Sequence, residues 1–285
     1  MSKGIVLFAF GDRAYYNMAY NMALSIKATS KQKVALVHDL HNYDLKPMPK
    51  ENWEVFDKLI PLKKKHTDAG QIKCNMYEYM PYDDNLYLDV DGCVLKEIDP
   101  LMDQLCSREG WLYTQVNGAG GKEDDIPYSI WATNEDIWDF FGLDEKAILP
   151  AIQSSMMFIR KCDEAKEFFA QVSKNHAKKF PMNKLTMQWG GSTPDELIYS
   201  GTMAQFGINK DADAGRHIFF GWKHKESINE VYQNFYVLAI YGGRNLVKLR
   251  YVDLYDRHMH KIAREYGRRH MYKAHALLKQ KHANG

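Results

Sequence analysis

The chain has 285 residues, 45% hydrophobic and 26% charged, with a formal net charge of +2. That balance fits a soluble globular protein long enough for a sizeable core. The longest apolar run, Ile5–Phe10, is far too short to cross a bilayer. The N-terminus also lacks the basic start, long apolar stretch and small-residue cleavage site of a secretory signal. Four cysteines, Cys74, Cys93, Cys106 and Cys162, show no metal-ligand spacing and read as reduced, packed thiols of a cytoplasmic protein.

In chain order, Ile5–Phe10 reads as a buried strand closed by Gly11 and Asp12, and Tyr15, Ala19, Met22, Ala23 and Ile26 mark one face of the helix that follows. Val34–Val37 is a second buried strand ending at His38 and Asp39, and Trp53–Leu62 a weaker third. A helix over residues 69–79 has Asp68 as its N-cap. Asn85–Leu88 is an apolar strand that runs into Asp89. Strands alternating with helices imply an α/β fold with a mostly parallel sheet, and ligands of such sheets sit beyond the carboxyl ends of the strands. Asp12, Asp39 and Asp89 all fall just past such ends.

The second half reads as a short helix from Asp99, a strand over Trp111–Val116 and a glycine- and acid-rich loop over Asn117–Asp125 that serves as a lid. A strand over Ser155–Ile159, a helix over Asp163–Lys178 and a helix over Pro194–Phe206 capped by Thr193 come next. From Asp253 the chain is helical, with Tyr255, Met259, Ile262 and Tyr266 on one face.

The segment Leu86-Tyr87-Leu88-Asp89-Val90-Asp91-Gly92 carries the most chemistry. Two carboxylates one residue apart at a strand exit offer hard oxygen ligands of the kind that hold Mg²⁺ or Mn²⁺ while leaving positions open for phosphates. The same residues can simply solvate a strand-to-turn junction. They also fit the apolar-strand–DxDG signature of haloacid dehalogenase-type phosphatases, with Asp89 as nucleophile, Asp91 as general acid and Thr114 as a second motif. In those enzymes the motif opens the fold, whereas here two strands precede it.

Those preceding strands suit a nucleotide cradle, and at this point the chain resembles the GT-A retaining glycosyltransferases of the glycogenin and lipopolysaccharide galactosyltransferase (family 8-like) group. The resemblance runs from about residue 4 to about residue 224. Phe10-Gly11-Asp12 with Tyr15 resembles the family's uridine-binding start, and Ile72-Lys73-Cys74 its helix bearing a basic residue. Leu86–Leu95 with Ile98-Asp99-Pro100-Leu101 is similar to its metal-binding strand and the short helix after it. Gln153-Ser154-Ser155 stands where the family has Asn-Ser-Gly, and Asp195-Glu196 resembles its Asp-Gln pair. His217, Gly221 and Lys223 resemble its late His-Gly-Lys motif, with His224 a nearby rival for the histidine.

The resemblance implies a GT-A, Rossmann-like domain over residues 1–249 and a basic helical extension over residues 250–285. It implies a Mn²⁺ or Mg²⁺ ion on Asp89, Asp91 and His217, and a nucleotide-sugar, by preference a UDP-sugar, against Phe10, Gly11, Asp12, Tyr15, Asp39, Lys73, Val90 and Lys223. Asp195 is the implied carboxylate beside the sugar, and transfer with retention the implied reaction. A phosphatase, and a non-catalytic nucleotide-sugar- or nucleic-acid-binding protein, are the alternatives.

From Arg250 onward nine Lys/Arg stand against three Asp/Glu, a surplus of six positive charges that leaves residues 1–249 four charges negative. Residues 250–282 therefore read as an amphipathic helix packed on the body, or as a surface for an anionic membrane or for nucleic acid.

Overall fold

The computed structural model describes residues 1–40, 50–63, 68–120, 132–181, 193–220, 226–240 and 249–265. In chain order the elements are β1 (Lys3–Ala9), α1 (Arg13–Thr29), β2 (Lys33–His38), β3 (Lys58–Pro61), α2 (Ala69–Cys74), β4 (Asp84–Leu88), β5 (Gly92–Val94) and α3 (Asp99–Ser107). They continue with β6 (Leu112–Gly120), α4 (Asn134–Phe141), β7 (Leu149–Arg160), α5 (Asp163–Ala177), α6 (Asp195–Gln205), β8 (Ile218–Phe220), α7 (Ile228–Asn234), β9 (Val237–Ala239) and α8 (Leu249–Glu265). Among the described residues, no helix is long and apolar enough to cross a membrane.

The chain forms two interleaved compact units, residues 1–63, 85–108 and 216–285 in one, residues 64–84 and 109–215 in the other. Helix α8 belongs to the first unit.

The first unit holds the strand order β3-β2-β1-β4, with β2 parallel to both β1 and β3. Ile5 to Ala9 are all buried, which is why that run is continuously apolar rather than alternating. Residues Trp53–Leu62 divide into a 3-10 turn (Lys50–Val55) and the short β3, not one strand. Asp12 caps α1, its Oδ1 accepting from Ala14 N–H at 2.7 Å.

Helix α1 is buried nearly all round, so even its polar residues face protein. Asn17, Asn21 and Ser25 recur at helical spacing. Asn21 Nδ2 donates to Tyr255 Oη at 2.7 Å, and Ser25 Oγ accepts from Val94 N–H at 2.8 Å. This stripe ties α1 to α8 and to β5. The small sheet β5-β9-β8 completes the unit.

Helix α8 starts at Leu249, four residues before the expected Asp253, and buries Tyr251, Tyr255, Met259 and Ile262. His258 joins that face. Its Nε2 lies 2.8 Å from Val94 O and its Nδ1 3.2 Å from Tyr232 Oη. The first half of the basic segment is therefore a packed amphipathic helix; Tyr266 and the rest, to residue 285, lie outside the described residues.

In the second unit β6 and β7 pair antiparallel. Strand β7 has 12 residues, against the five expected over Ser155–Ile159. Strand β6 continues to Gly120, so the expected lid is strand over residues 117–120, and its remainder, with Asp124 and Asp125, lies outside the described residues. Helix α6 begins at Asp195 with Pro194 at the capping position and no side-chain cap; Thr193 does not cap it. Its Gly201 is required by packing, because a Cβ there would meet the Phe141 ring at 2.2 Å.

Candidate active site

Three strand exits of the first unit carry the residues expected to hold a nucleotide and a metal. After β1, Gly11 turns the chain with φ 80°, a left-handed conformation that favours glycine. The turn is pinned from β2: Gly11 N–H donates to Asp39 Oδ2 at 3.0 Å, and Tyr16 Oη donates to Asp39 Oδ1 at 2.5 Å. Asp39 is buried, so its carboxylate shapes the turn from within. Asp12 is engaged in capping, while Phe10 and Tyr15, both half-buried, stack with ring centroids 6.2 Å apart. What this turn presents outward is Gly11 and the Phe10–Tyr15 pair.

The third exit is that of β4. Leu86 and Leu88 are fully buried, and Asp89 and Asp91 emerge half-buried on either side of buried Val90. Tyr87 Oη donates to Asp89 Oδ1, and the same tyrosine ring packs edge-on against Phe8 of β1. Asp91 is held through its backbone, its carbonyl accepting from Ile240 N–H at 3.0 Å. Gly92 follows because β5 runs against β9 too closely for a side chain: a Cβ would lie 2.3 Å from Leu238 O. Two half-exposed carboxylates, Asp89 held by Tyr87 and Asp91 carried on a fixed backbone, suit the protein share of a Mg²⁺ or Mn²⁺ site whose other positions are filled by phosphate and water.

His217 is not brought to that pair. On β9, Val237 is flanked by Val94 and Ile218, and Ala239 by Gly92 and Phe220. Asp91 stands at the Ile240 end. His217, whose carbonyl accepts from Tyr236 and Val237 N–H, stands at the other end, its ring edge-on to Tyr236. Four residues of strand, roughly 13 Å at ~3.3 Å per residue, separate the two backbone positions. Among the described residues, no three His, Cys, Asp or Glu side chains gather as a metal-binding set. Lys223 and His224 lie outside the described residues.

The second unit gathers the remaining candidates at the start of α6. Asp195 Oδ2 lies 3.5 Å from Lys73 Nζ, both side chains about four-fifths buried. Tyr199 Oη donates to Lys73 O at 2.7 Å, tying α2 to α6. The charge of Lys73 is thus met by Asp195. Burial, then the Asp195 charge, push the Cys74 thiol well above its ordinary value, and burial does the same to Cys93 in the first unit. Neither is a nucleophile at neutral pH.

Sequence reasoning missed the Glu196 anchor. Glu196 Oε1 accepts from Gln153 Nε2 at 2.8 Å and from Ser154 N–H at 3.4 Å. These donors come from a bulge. Thr114 pairs with Met157 but Gln115 with Gln153, so Ser154, Ser155 and Met156 stand opposite a single step of β6. Thr114 Oγ1 staples the bulge, 3.0 Å from Gln153 O and 2.9 Å from Met156 O. Thr114 is fully buried, which removes it as a phosphate-binding second motif of a phosphatase.

The sequence matches no protein-family model, and no curated protein matches it. Solved structures do resemble it. One is the apo structure of the bifunctional glycosyltransferase WbbM, at 9% identity and TM-score 0.56, covering 92% of this chain and 51% of that one. Another is the glycosyltransferase GlyE of Streptococcus pneumoniae TIGR4, at 14% identity and TM-score 0.50, covering 93% of this chain and 63% of that one. The chain thus spans about half the length of the first and under two thirds of the second. At these identities the likeness establishes the fold: the α/β, GT-A type of arrangement found in glycosyltransferases, as the sequence led us to expect.

Proposed function

We propose that this chain transfers a sugar from a nucleotide-sugar, by preference a UDP-sugar, to a hydroxyl acceptor with the help of a divalent cation. The observation that carries the reading is the half-exposed Asp89 and Asp91 pair at the end of a buried strand, beside the glycine turn and stacked aromatics at the exit of β1. Asp89 and Asp91 would hold Mn²⁺ or Mg²⁺. Such an ion, when bound, supplies Lewis-acid neutralisation of a departing diphosphate. Gly11 and the Phe10–Tyr15 pair would take the base and ribose, with Asp39 fixing the turn. The family resemblance alone gives Asp195 as the carboxylate beside the sugar, whose anomeric carbon gains positive charge as its bond to phosphate breaks. Retention rests on the family resemblance alone. His224, the rival histidine of the sequence motif, replaces His217 as our candidate for a third ligand.

Calorimetric titration of the full chain with UDP, with and without Mn²⁺, followed by a sugar-release assay on UDP-sugars, tests this. Metal-dependent UDP binding that weakens at least tenfold in Asp91→Ala supports it. Hydrolysis of a generic phosphomonoester that disappears in Asp89→Asn, with no UDP binding, overturns it in favour of the phosphatase. UDP binding without turnover on any sugar would leave a binding protein instead.

A further inference from the structure

Strand β5 runs directly on from the acidic pair and is the end strand of its sheet. Its partner β9 takes Asp91 O through Ile240 N–H at 3.0 Å, and Leu95 N–H donates to Tyr236 O at 2.8 Å. Between them, Val94 turns both of its backbone polar groups to side chains instead. Its N–H donates to Ser25 Oγ of α1 at 2.8 Å, and its carbonyl lies 2.8 Å from His258 Nε2 of α8. A carbonyl has no proton to give, so Nε2 carries the imidazole proton and donates it. His258 Nδ1, 3.2 Å from Tyr232 Oη, then accepts from the tyrosine. The two helices are braced against each other close by, where Asn21 Nδ2 donates to Tyr255 Oη at 2.7 Å.

We propose that His258 is a positioning residue for the metal site: by holding Val94 it fixes the strand that sets where Asp91 stands. The inference rests on the transferase reading above. β5 and β9 have three residues each, so their ladder offers few hydrogen bonds to steady the backbone that carries Asp91. The clamp from α1 and α8 supplies two more, from the opposite edge. Val94 is fully buried, so its carbonyl has no water to turn to when the imidazole is removed, and the strand must shift to find a donor. On the β9 side Gly92 leaves no slack, a Cβ there lying 2.3 Å from Leu238 O. The two carboxylates are thus placed by separate devices: Tyr87 holds Asp89 directly, and His258 holds Asp91 through the strand that follows it. Divalent ions demand such placement, and residues that orient a ligand from behind typically change metal affinity by about 10- to 100-fold.

The test is the Mn²⁺ concentration that gives half-maximal UDP binding to the full chain, followed by calorimetry. His258→Leu removes the donor, and we expect that midpoint to rise about tenfold or more while UDP affinity at saturating Mn²⁺ stays within about threefold of wild type. His258→Gln puts an amide N–H within reach of the same carbonyl and should bring the midpoint back to within about threefold. Ile262→Ala loosens the packing of α8 without touching a hydrogen bond to β5, so it should lose unfolding stability and leave the midpoint within about threefold. Ser25→Ala unclamps Val94 from the α1 side and should raise the midpoint about threefold or more, which decides the matter if His258→Leu does not fold. An unmoved midpoint in His258→Leu, no recovery in His258→Gln, or an equal shift in Ile262→Ala overturns the positioning role and leaves the transferase reading intact. An unmoved midpoint in Ser25→Ala does the same if His258→Leu fails to fold. A wild-type chain whose UDP binding does not depend on Mn²⁺ overturns both.

Discussion

Gly92 follows the acidic pair for a steric reason, and the reason lies in a strand far along the chain. A methyl group there would sit 2.3 Å from the carbonyl oxygen of Leu238, and a backbone atom inside a paired strand cannot swing away. Gly92→Ala is expected to cost about 1–3 kcal/mol in denaturant unfolding. A loss below about 0.5 kcal/mol would mean that β5 and β9 are not so closely held. Asp39 makes the complementary case: as a sequence residue it looks like a ligand at a strand end, yet both its oxygens are used inside the protein. Asp39→Ala should destabilise the fold by about 2–4 kcal/mol, since two donors lose a charged acceptor. The acidic pair was legible at this scale because two carboxylates after a buried strand need no tertiary information. Gly92 and Asp39 were not, because their roles depend on partners that neither local spacing nor composition reveals.

Among the elements, α1 and α8 show where periodicity succeeds and where it runs out. The apolar spacing of Tyr255, Met259 and Ile262 identifies the buried face of α8. It does not reveal that His258 lies on the same face and bonds to β5, just beyond the acidic pair. Burial holds the His258 imidazole below its ordinary value, with nearby Lys261 adding to this and the Val94 carbonyl and Glu265 opposing it. A histidine held neutral in the fold but protonated when unfolded contributes stability that is present above its unfolded pKa, about 6.5. That stability is lost as pH falls from there towards the lower folded value. Thermal or urea unfolding between pH 7.5 and 5 should therefore show stability falling with pH, by at most about 1.4 kcal/mol per pH unit from this one proton. In His258→Gln that component should vanish, and an unchanged slope would place the dependence on other groups. Truncation tests the packed part of the basic segment. A chain ending at residue 248 removes the buried face of α8 and should lose several kcal/mol.

The whole molecule is organised by a division that no stretch of sequence displays. Strand and helix periods are local, so they establish the α/β class and the parallel β1-β2-β3 arrangement. A unit assembled from residues 1–63, 85–108 and 216–285 depends on long-range pairing such as β5 with β9. The bulge that anchors Glu196 escaped for the same reason: it is a mismatch between β6 and β7 and has no signature in either alone. The division makes the proposed chemistry separable. The nucleotide and metal candidates Phe10, Gly11, Asp89 and Asp91 belong to the first unit, and Gln153, Asp195 and Glu196 to the second. Hydrogen exchange followed by mass spectrometry reads this directly, because a ligand slows exchange where it suppresses local opening. UDP with Mn²⁺ at about 100 times its dissociation constant adds about 2.7 kcal/mol to the bound state, and segments 8–17 and 86–95 should gain protection. Segments 150–157 and 193–200 should respond only when the ligand carries its sugar. EDTA, or Asp91→Ala, should abolish the first response. Equal protection of all four segments by UDP alone would sink this assignment of the sugar to the second unit, and no protection over 86–95 would remove the acidic pair from the nucleotide site.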